Sequence, residues 1–252
     1  MKNRLIQDVK SILFGRLLWL VVIVLALIGY LGNIEMVKQL EDLNQQGQLG
    51  GIPLIFAVSM EAIRSDLFLM AVPIFVTLPF SERFIYEMNS RYYLYSISRG
   101  RKRDYILSKA LMTFLSGFLT LLLTELLLLL IYYLVNIKEM ADMLVVGTPF
   151  LWIFVKIVTL SLLNGGVWAL VGTVGTIIMR SRYFTYTMPF ILYYLLTTFQ
   201  EVYYKKLVFL NPSHWIRGKY WDANICLLVL ATMSFMLGLF VVYLMRRRIE
   251  HG

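Results

Sequence analysis

Few residues in this chain of 252 could carry covalent chemistry. There is one cysteine, Cys226, and there are two histidines, His214 and His251. A lone thiol makes neither an internal disulfide nor a cysteine-cluster metal site, and the histidines lie too far apart in sequence and context to suggest a zinc pair. Two ionisable residues are different, because each sits inside a long apolar stretch: Glu125 within 119–135, and Lys156 about two turns into the stretch that opens at Thr148. Near the centre of a bilayer such groups cost roughly 2.5–3.5 kcal/mol each and normally face a partner or a wet cavity. The expectation is that Glu125 and Lys156 pair, or that Glu125 lines a polar route, or that it hydrogen-bonds as a neutral acid to a neighbouring helix. With Cys226 they form no familiar nucleophile–base set, which argues against an intramembrane enzyme. No G-x-x-x-x-G-K-[ST] occurs, and the one Gly-Lys pair, Gly218-Lys219, is followed by Tyr220. Phosphate-loop hydrolysis of ATP is therefore outside this chain's chemistry.

The elements that must position these residues are set by composition. Hydrophobic residues make up 59% of the chain and charged residues 15%, with a formal net charge of +9 and a mean hydropathy of +0.71. A soluble domain is normally about half apolar. Here the excess is gathered into runs long enough to approach the roughly 20 residues that span a hydrocarbon core, and without period-two alternation such runs mean helices. Six stretches qualify: 17–32, about 59–80, 110–135, 148–179, 183–199 and 223–245. The second is the shortest in its clean apolar part, and Glu61, Arg64 and Asp66 stand at its opening. With six crossings and the first flank inside, residues 1–16, 81–109, 180–182 and 246–252 face the cytoplasm. They hold 16 of the 24 Lys and Arg residues and 5 of the 15 acids, the asymmetry that the positive-inside rule demands. The charge is then a topological signal and not a nucleic-acid footprint. The expected protein is an all-α, multi-pass cell-membrane protein, one six-helix domain over 1–252, with both termini cytoplasmic. The first run lacks a small-residue cleavage site after Leu31, so it reads as a retained span and not a secretory signal.

Three segments are not simple spans. In 1–16, Leu5, Val9 and Ile12, with Ile6 and Leu13, recur at helical spacing opposite Lys2, Arg4, Gln7 and Lys10, as in a helix lying in the headgroup layer. Gly15 is a candidate joint before the first span. Residues 81–109 predict a short helix along the membrane, a turn near 98–100, and a second short helix continuous with the third span. Attraction to anionic lipid, worth about 1 kcal/mol per basic residue near the surface, accounts for the charges. It leaves Arg91-Tyr92-Tyr93-Leu94-Tyr95, suited to docking on another protein, unexplained. In 201–222, Trp and Tyr favour the headgroup level, and Phe209–Trp215 reads either as an interfacial or re-entrant stretch or as an aromatic belt.

Glu87-Met88-Asn89-Ser90, then Leu94-Tyr95-Ser96-Ile97-Ser98-Arg99, then Tyr105-Ile106-Leu107-Ser108-Lys109 resembles the cytosolic segment of type-2 ABC transporter permeases. That family has an acidic residue before a Gly-Thr-like pair (Asn89-Ser90 here), an apolar stretch, an arginine, and a lysine opening the third span. The resemblance implies the membrane-spanning subunit of an ATP-driven exporter, with Glu87, Arg91, Arg99, Arg101, Lys102, Arg103 and Lys109 coupling it to a separate ABC ATPase subunit. ATP and Mg would bind that partner, and this chain would bind no cofactor or metal and have no enzymatic activity of its own. Membrane lipids, and a second copy or a sister permease, complete the expected partners. Within the fourth stretch Gly165, Ala169, Gly172 and Thr176 return at spacings of three and four, a stripe that permits close helix approach, either within the bundle or across a dimer. Pro73 and Pro189 are expected to kink their helices. The competing functional classes are a secondary transporter or channel, and a non-transporting assembly or immunity protein. No convincing internal repeat supports the transporter alternative.

Overall fold

A computed structural model describes residues 2–45, 54–98, 101–135, 148–217 and 222–251. The order of elements is α1 (Lys2–Leu13), α2 (Arg16–Leu31), α3 (Ile34–Gln45), α4 (Leu54–Arg64), α5 (Asp66–Phe75), α6 (Arg83–Asn89), α7 (Tyr92–Ser98), α8 (Lys102–Val135), α9 (Thr148–Met179), α10 (Phe184–Thr198), α11 (Pro212–Arg217) and α12 (Ala223–His251). A π-turn over Phe199–Tyr203 and a 3₁₀ turn over Val208–Leu210 link α10 to α11. No strand occurs among the described residues.

Three helices, α8, α9 and α12, are long and apolar enough to cross a membrane. Arg16–Leu31 and Ile34–Leu40 qualify together as a fourth, but they are bent by 55°. The bend falls at Gly32-Asn33, where the Asn33 amide donates to the Val58 carbonyl across 3.1 Å and pins the corner to α4. Outward-facing Leu17, Leu20, Ile23 and Leu27 on α2, and Leu228, Phe235, Met236 and Leu239 on α12, are all about half exposed or more. Apolar faces of that extent are consistent with a membrane protein and would be a liability in water.

The remaining expected crossings are shorter in the structure. The stretch 59–80 is not one helix. It is cut at Ser65, whose hydroxyl caps α5 by accepting from the Phe68 amide at 3.4 Å, and the chain leaves α5 at Val76, just after Pro73. The cut is satisfied from elsewhere: both Arg217 Nε and Nη2 donate to the Arg64 carbonyl at 3.0 Å, and Arg217 also pairs with Asp66. Helix carbonyls left open at a break need such donors. Residues 34–64, expected from the sequence to be an outer connection followed by the opening of the second span, contain two helices, α3 and α4. Ile55, Val58, Ala62 and Ile63 of α4 are buried in the main core. Helix α10 has 15 residues and carries Pro189 internally.

Helix α9 is the centre of the bundle, packed on α8, α10 and α12. It can be so because small residues bring backbones together. A Cβ on Gly117 would stand 2.3 Å from the Gly165 carbonyl oxygen and 2.8 Å from the Ala169 methyl. On the next turns a Cβ on Gly172 would stand 2.5 Å from the Thr185 carbonyl oxygen, and the Thr176 and Thr185 hydroxyls bond at 2.9 Å. The Gly165–Ala169–Gly172–Thr176 stripe is thus occupied within the chain, against α8 and α10.

Candidate functional site

Where α1, α6 and α8 meet, four charged side chains are drawn into one knot. Helix α8 continues past the apolar run in its N-terminal direction, which places Tyr105 and Lys109 one turn apart on its buried face. Lys109 Nζ donates to Glu87 Oε1 at 2.7 Å and to Asp8 Oδ1 at 3.1 Å. The Tyr105 hydroxyl donates to the other Glu87 oxygen at 2.8 Å. Arg83, one turn before Glu87 on α6, closes the set with Nε 3.3 Å from Glu87 Oε1, and its Nη1 donates to the Ser11 hydroxyl of α1. The Phe80 ring lies beneath both cations, 5.4 Å from Lys109 Nζ and 5.4 Å from Arg83 Cζ. Glu87, Lys109 and Asp8 are 4%, 5% and 7% exposed. Charges that deep are tolerated only when paired and hydrogen-bonded, and here two carboxylates face two cations.

The loop before α6 is anchored just as firmly. The Ser81 hydroxyl donates to the Ala169 carbonyl at 3.0 Å, and the Thr173 hydroxyl donates back to the Ser81 carbonyl at 3.4 Å. The short helix α6 is therefore tied to α1 and α8 by charge and to α9 through its leading turn. Nothing in this arrangement is a nucleophile poised beside a base. What it does chemically is hold: α6 cannot shift without moving α1 and α8.

Of the expected coupling residues, Glu87 and Lys109 are buried in this knot, so they reach any partner only through what they hold. Arg91 is exposed and sits at φ 57 between α6 and α7, a left-handed backbone that turns the chain sharply. Arg101 and Arg103 are exposed; Arg99 lies outside the described residues. Lys102 pairs with Glu250 of α12 at 3.1 Å, and Arg246 bonds the same carboxylate at 3.1 Å. Those two donors hold the Glu250 carboxyl below its ordinary range. The tie is present above the ordinary carboxylate pKa and is lost as pH falls through the lowered one. Tyr86, Tyr92, Leu94 and Tyr95 present an exposed apolar and aromatic surface along α6 and α7.

Asp8, Arg83 and Tyr105 were not singled out from the sequence. Two of the signals existed: Arg83 and Tyr105 each precede a charged partner by four residues, the spacing of same-face neighbours on a helix. Asp8 lies at the edge of the α1 apolar stripe, one turn before buried Ile12, and the face that α1 turns inward is that edge.

Glu125 and Lys156 do not pair. No ion pair joins them among the described residues; Lys156 is only half-buried and lies 5.9 Å from the Trp152 ring centroid. Glu125 is buried beside Ser161, with neither carboxyl oxygen hydrogen-bonded to the protein. It borders a cavity of about 80 Å³ whose wall is otherwise apolar save for Ser59. Glu125→Gln keeps the shape of the group and breaks no ion pair, and is expected to change stability by less than about 1 kcal/mol. Lys156→Met is expected to cost no more than about 1 kcal/mol, the scale of an exposed cation–π contact. Thermal unfolding in detergent checks both, since a real pair would make either change cost about 3 kcal/mol or more.

The segment 201–217 is ordered by Asn211, which caps α11 with Pro212 in the first helical position. Its Oδ1 accepts from the Ser213 amide at 3.0 Å and the Ser213 hydroxyl at 2.7 Å. Trp215 stacks on Trp168 of α9 at 6.3 Å and donates to the Phe209 carbonyl at 2.7 Å. Asn211, Ser213, Trp215 and Ile216 are buried in the bundle, so Trp215 is not a lipid-facing belt residue, whereas Tyr203 and Tyr204 are exposed as belt residues would be. Residues 218–221 lie outside the described residues. Among the described residues no cluster of His, Cys, Asp and Glu is arranged to hold a metal ion. No protein-family model, curated protein or solved structure matches this chain.

Proposed function

We propose that this chain is a six-span permease subunit of an ATP-driven ABC exporter, coupled to hydrolysis on a separate ATPase subunit. Two copies, or this chain and a sister permease, would enclose the translocation route. In this reading the bent α2, the broken α4–α5, and α8, α9, α10 and α12 supply the crossings, and both termini with α6 and α7 face the cytoplasm. The observation that carries it is the buried Asp8–Lys109–Glu87–Arg83 knot. It makes a short pair of helices with exposed aromatic residues mechanically continuous with a helix long enough to span the bilayer. A partner gripping Tyr92 and Leu94 would pull directly on α8 and α1. The resemblance of residues 87–109 to the coupling segment of type-2 permeases supplies the identity of that partner, an ABC ATPase.

The test is copurification of a tagged chain from its own membranes. A stoichiometric ATPase is expected with the wild type. Changing Tyr92 and Leu94 to serine is expected to cut its recovery by about tenfold, as loss of a docking hot spot would, with thermal unfolding unchanged. A transporting complex with no ATPase would overturn the reading.

A further inference from the structure

A second cluster of charge lies away from the knot, and it is unbalanced. Between the last turn of α9 and that of α12 is a cleft of about 300 Å³ lined by Ile177, Ile178, Arg180, Leu244, Arg247 and Arg248. Three of those six side chains are guanidinium groups and none is an acid. Among the described residues none of the three makes an ion pair or a side-chain hydrogen bond, and Arg248 Nε is shielded from solvent with no partner at all. The charges of Arg180 and Arg248 oppose one another. Glu250, the nearest acid in sequence, is already held by Lys102 and Arg246. Arg180 moreover stands at φ 56, ending α9 in the left-handed position that glycine occupies at least cost.

Arginines brought together against their own repulsion call for an anion. Guanidinium is the side chain best matched to phosphate, since it donates in a planar fork and is weakly hydrated. The other half of the cleft wall, Ile177, Ile178 and Leu244, is apolar and continues onto the outward face of α9, where Ile178 is half exposed. A free phosphate would gain nothing from that wall. We infer that the cleft formed by Arg180, Arg247, Arg248, Ile177, Ile178 and Leu244 is a binding site for an anionic phospholipid. Its phosphate lies among the guanidiniums and its acyl chain along the isoleucines. A basic pocket between membrane helices is the physical form such a site takes.

The experiment uses the full chain, purified in an uncharged detergent and given phosphatidylglycerol or phosphatidylcholine of the same acyl chains, with retained lipid read by native mass spectrometry. Phosphatidylglycerol is expected to be retained about tenfold better, and inorganic phosphate at millimolar concentration is not expected to displace it. Arg180→Gln combined with Arg248→Gln is expected to abolish the preference, and Arg246→Gln, outside the cleft on the same helix, to leave it. Equal retention of the two lipids by the wild type would overturn the site. So would a preference that survives the double change. Displacement by inorganic phosphate would overturn the lipid assignment in favour of a soluble anion. If the double variant does not fold, the wild-type lipid comparison and the phosphate competition still decide the matter.

Discussion

Replacing Lys109 with methionine is expected to destabilise the protein by about 3–5 kcal/mol, the cost of leaving buried charge without its partner. Among the described residues Lys109 is the one group that touches both Asp8 and Glu87. Without it Glu87 keeps Arg83 and Tyr105, but Asp8 has no other cation within 4 Å among the described residues. Thermal unfolding in detergent, followed by tryptophan fluorescence, reads the loss. A second measurement separates the knot from mere packing. Adding Asp8→Asn and Glu87→Gln to Lys109→Met is expected to restore much of the lost stability, because the three buried positions are then neutral and the one charge left without its carboxylate, Arg83, is partly exposed and can be hydrated. In the proposed permease the restored chain is nonetheless expected to fail in transport, since no charge then ties α1 and α6 to α8. Additive losses across the three changes would mean that the groups act independently, and the lever would be gone.

Gly117→Ala is expected to cost about 3 kcal/mol, the upper end of ordinary overpacking. The added methyl would meet the Gly165 carbonyl oxygen at 2.3 Å and the Ala169 methyl at 2.8 Å, and the first of these is backbone that has no rotamer to give. Helices α8 and α9 must then separate, which loosens the contact on which Ser81 and the leading turn of α6 rest. Gly238→Ala provides the control. Nothing stands within 4 Å of a Cβ there, so alanine's better helix propensity is expected to leave stability unchanged or raise it by up to about 1 kcal/mol. Equal effects at the two positions would mean that backbone contact at the α8–α9 crossing does not limit stability.

The parts of the fold that were legible in the sequence are those governed by a long uninterrupted apolar run. Thr148–Met179 begins and ends where the hydropathy does, α12 starts at Ala223 as expected, and α8 extends through Asp104–Lys109 as a continuation of its span. Gly15 separates α1 from α2 in extended backbone, at the position read as a joint. The stretch from 54 to 80 was not legible, because its outcome is decided from outside it. The capping of α5 by Ser65 is local, but the break at Arg64 is held open by Arg217, 153 residues away. Leu54–Arg64 is an apolar helix too short to announce itself as a span, and its core residues divide between the expected connection (Ile55, Val58) and the opening of the second expected span (Ala62, Ile63).

The same distinction divides the site. Glu87 and Lys109 were visible as charges in a patterned segment, and the stripe of small residues was visible as a period. That Glu87 and Lys109 turn inward depended on Asp8, 101 residues before Lys109, and one sequence carries no sign of such a pairing. Glu125 and Lys156 show the converse. Both were conspicuous as charges in lipid-like surroundings, yet helix rotation places one against Ser161 and the other beside Trp152.

In the function proposed above, α6 and α7 are a cytoplasmic handle through which an ATPase moves α8. It is tested most directly by placing a photoreactive amino acid at Leu94, on the exposed side of α7, and irradiating native membranes. The expected result is one dominant adduct with a protein bearing a phosphate-loop ATPase motif, its yield changing when nucleotide is withheld. A dominant adduct with a protein on the outer face of the membrane, or none with any ATPase in a transporting complex, would contradict it.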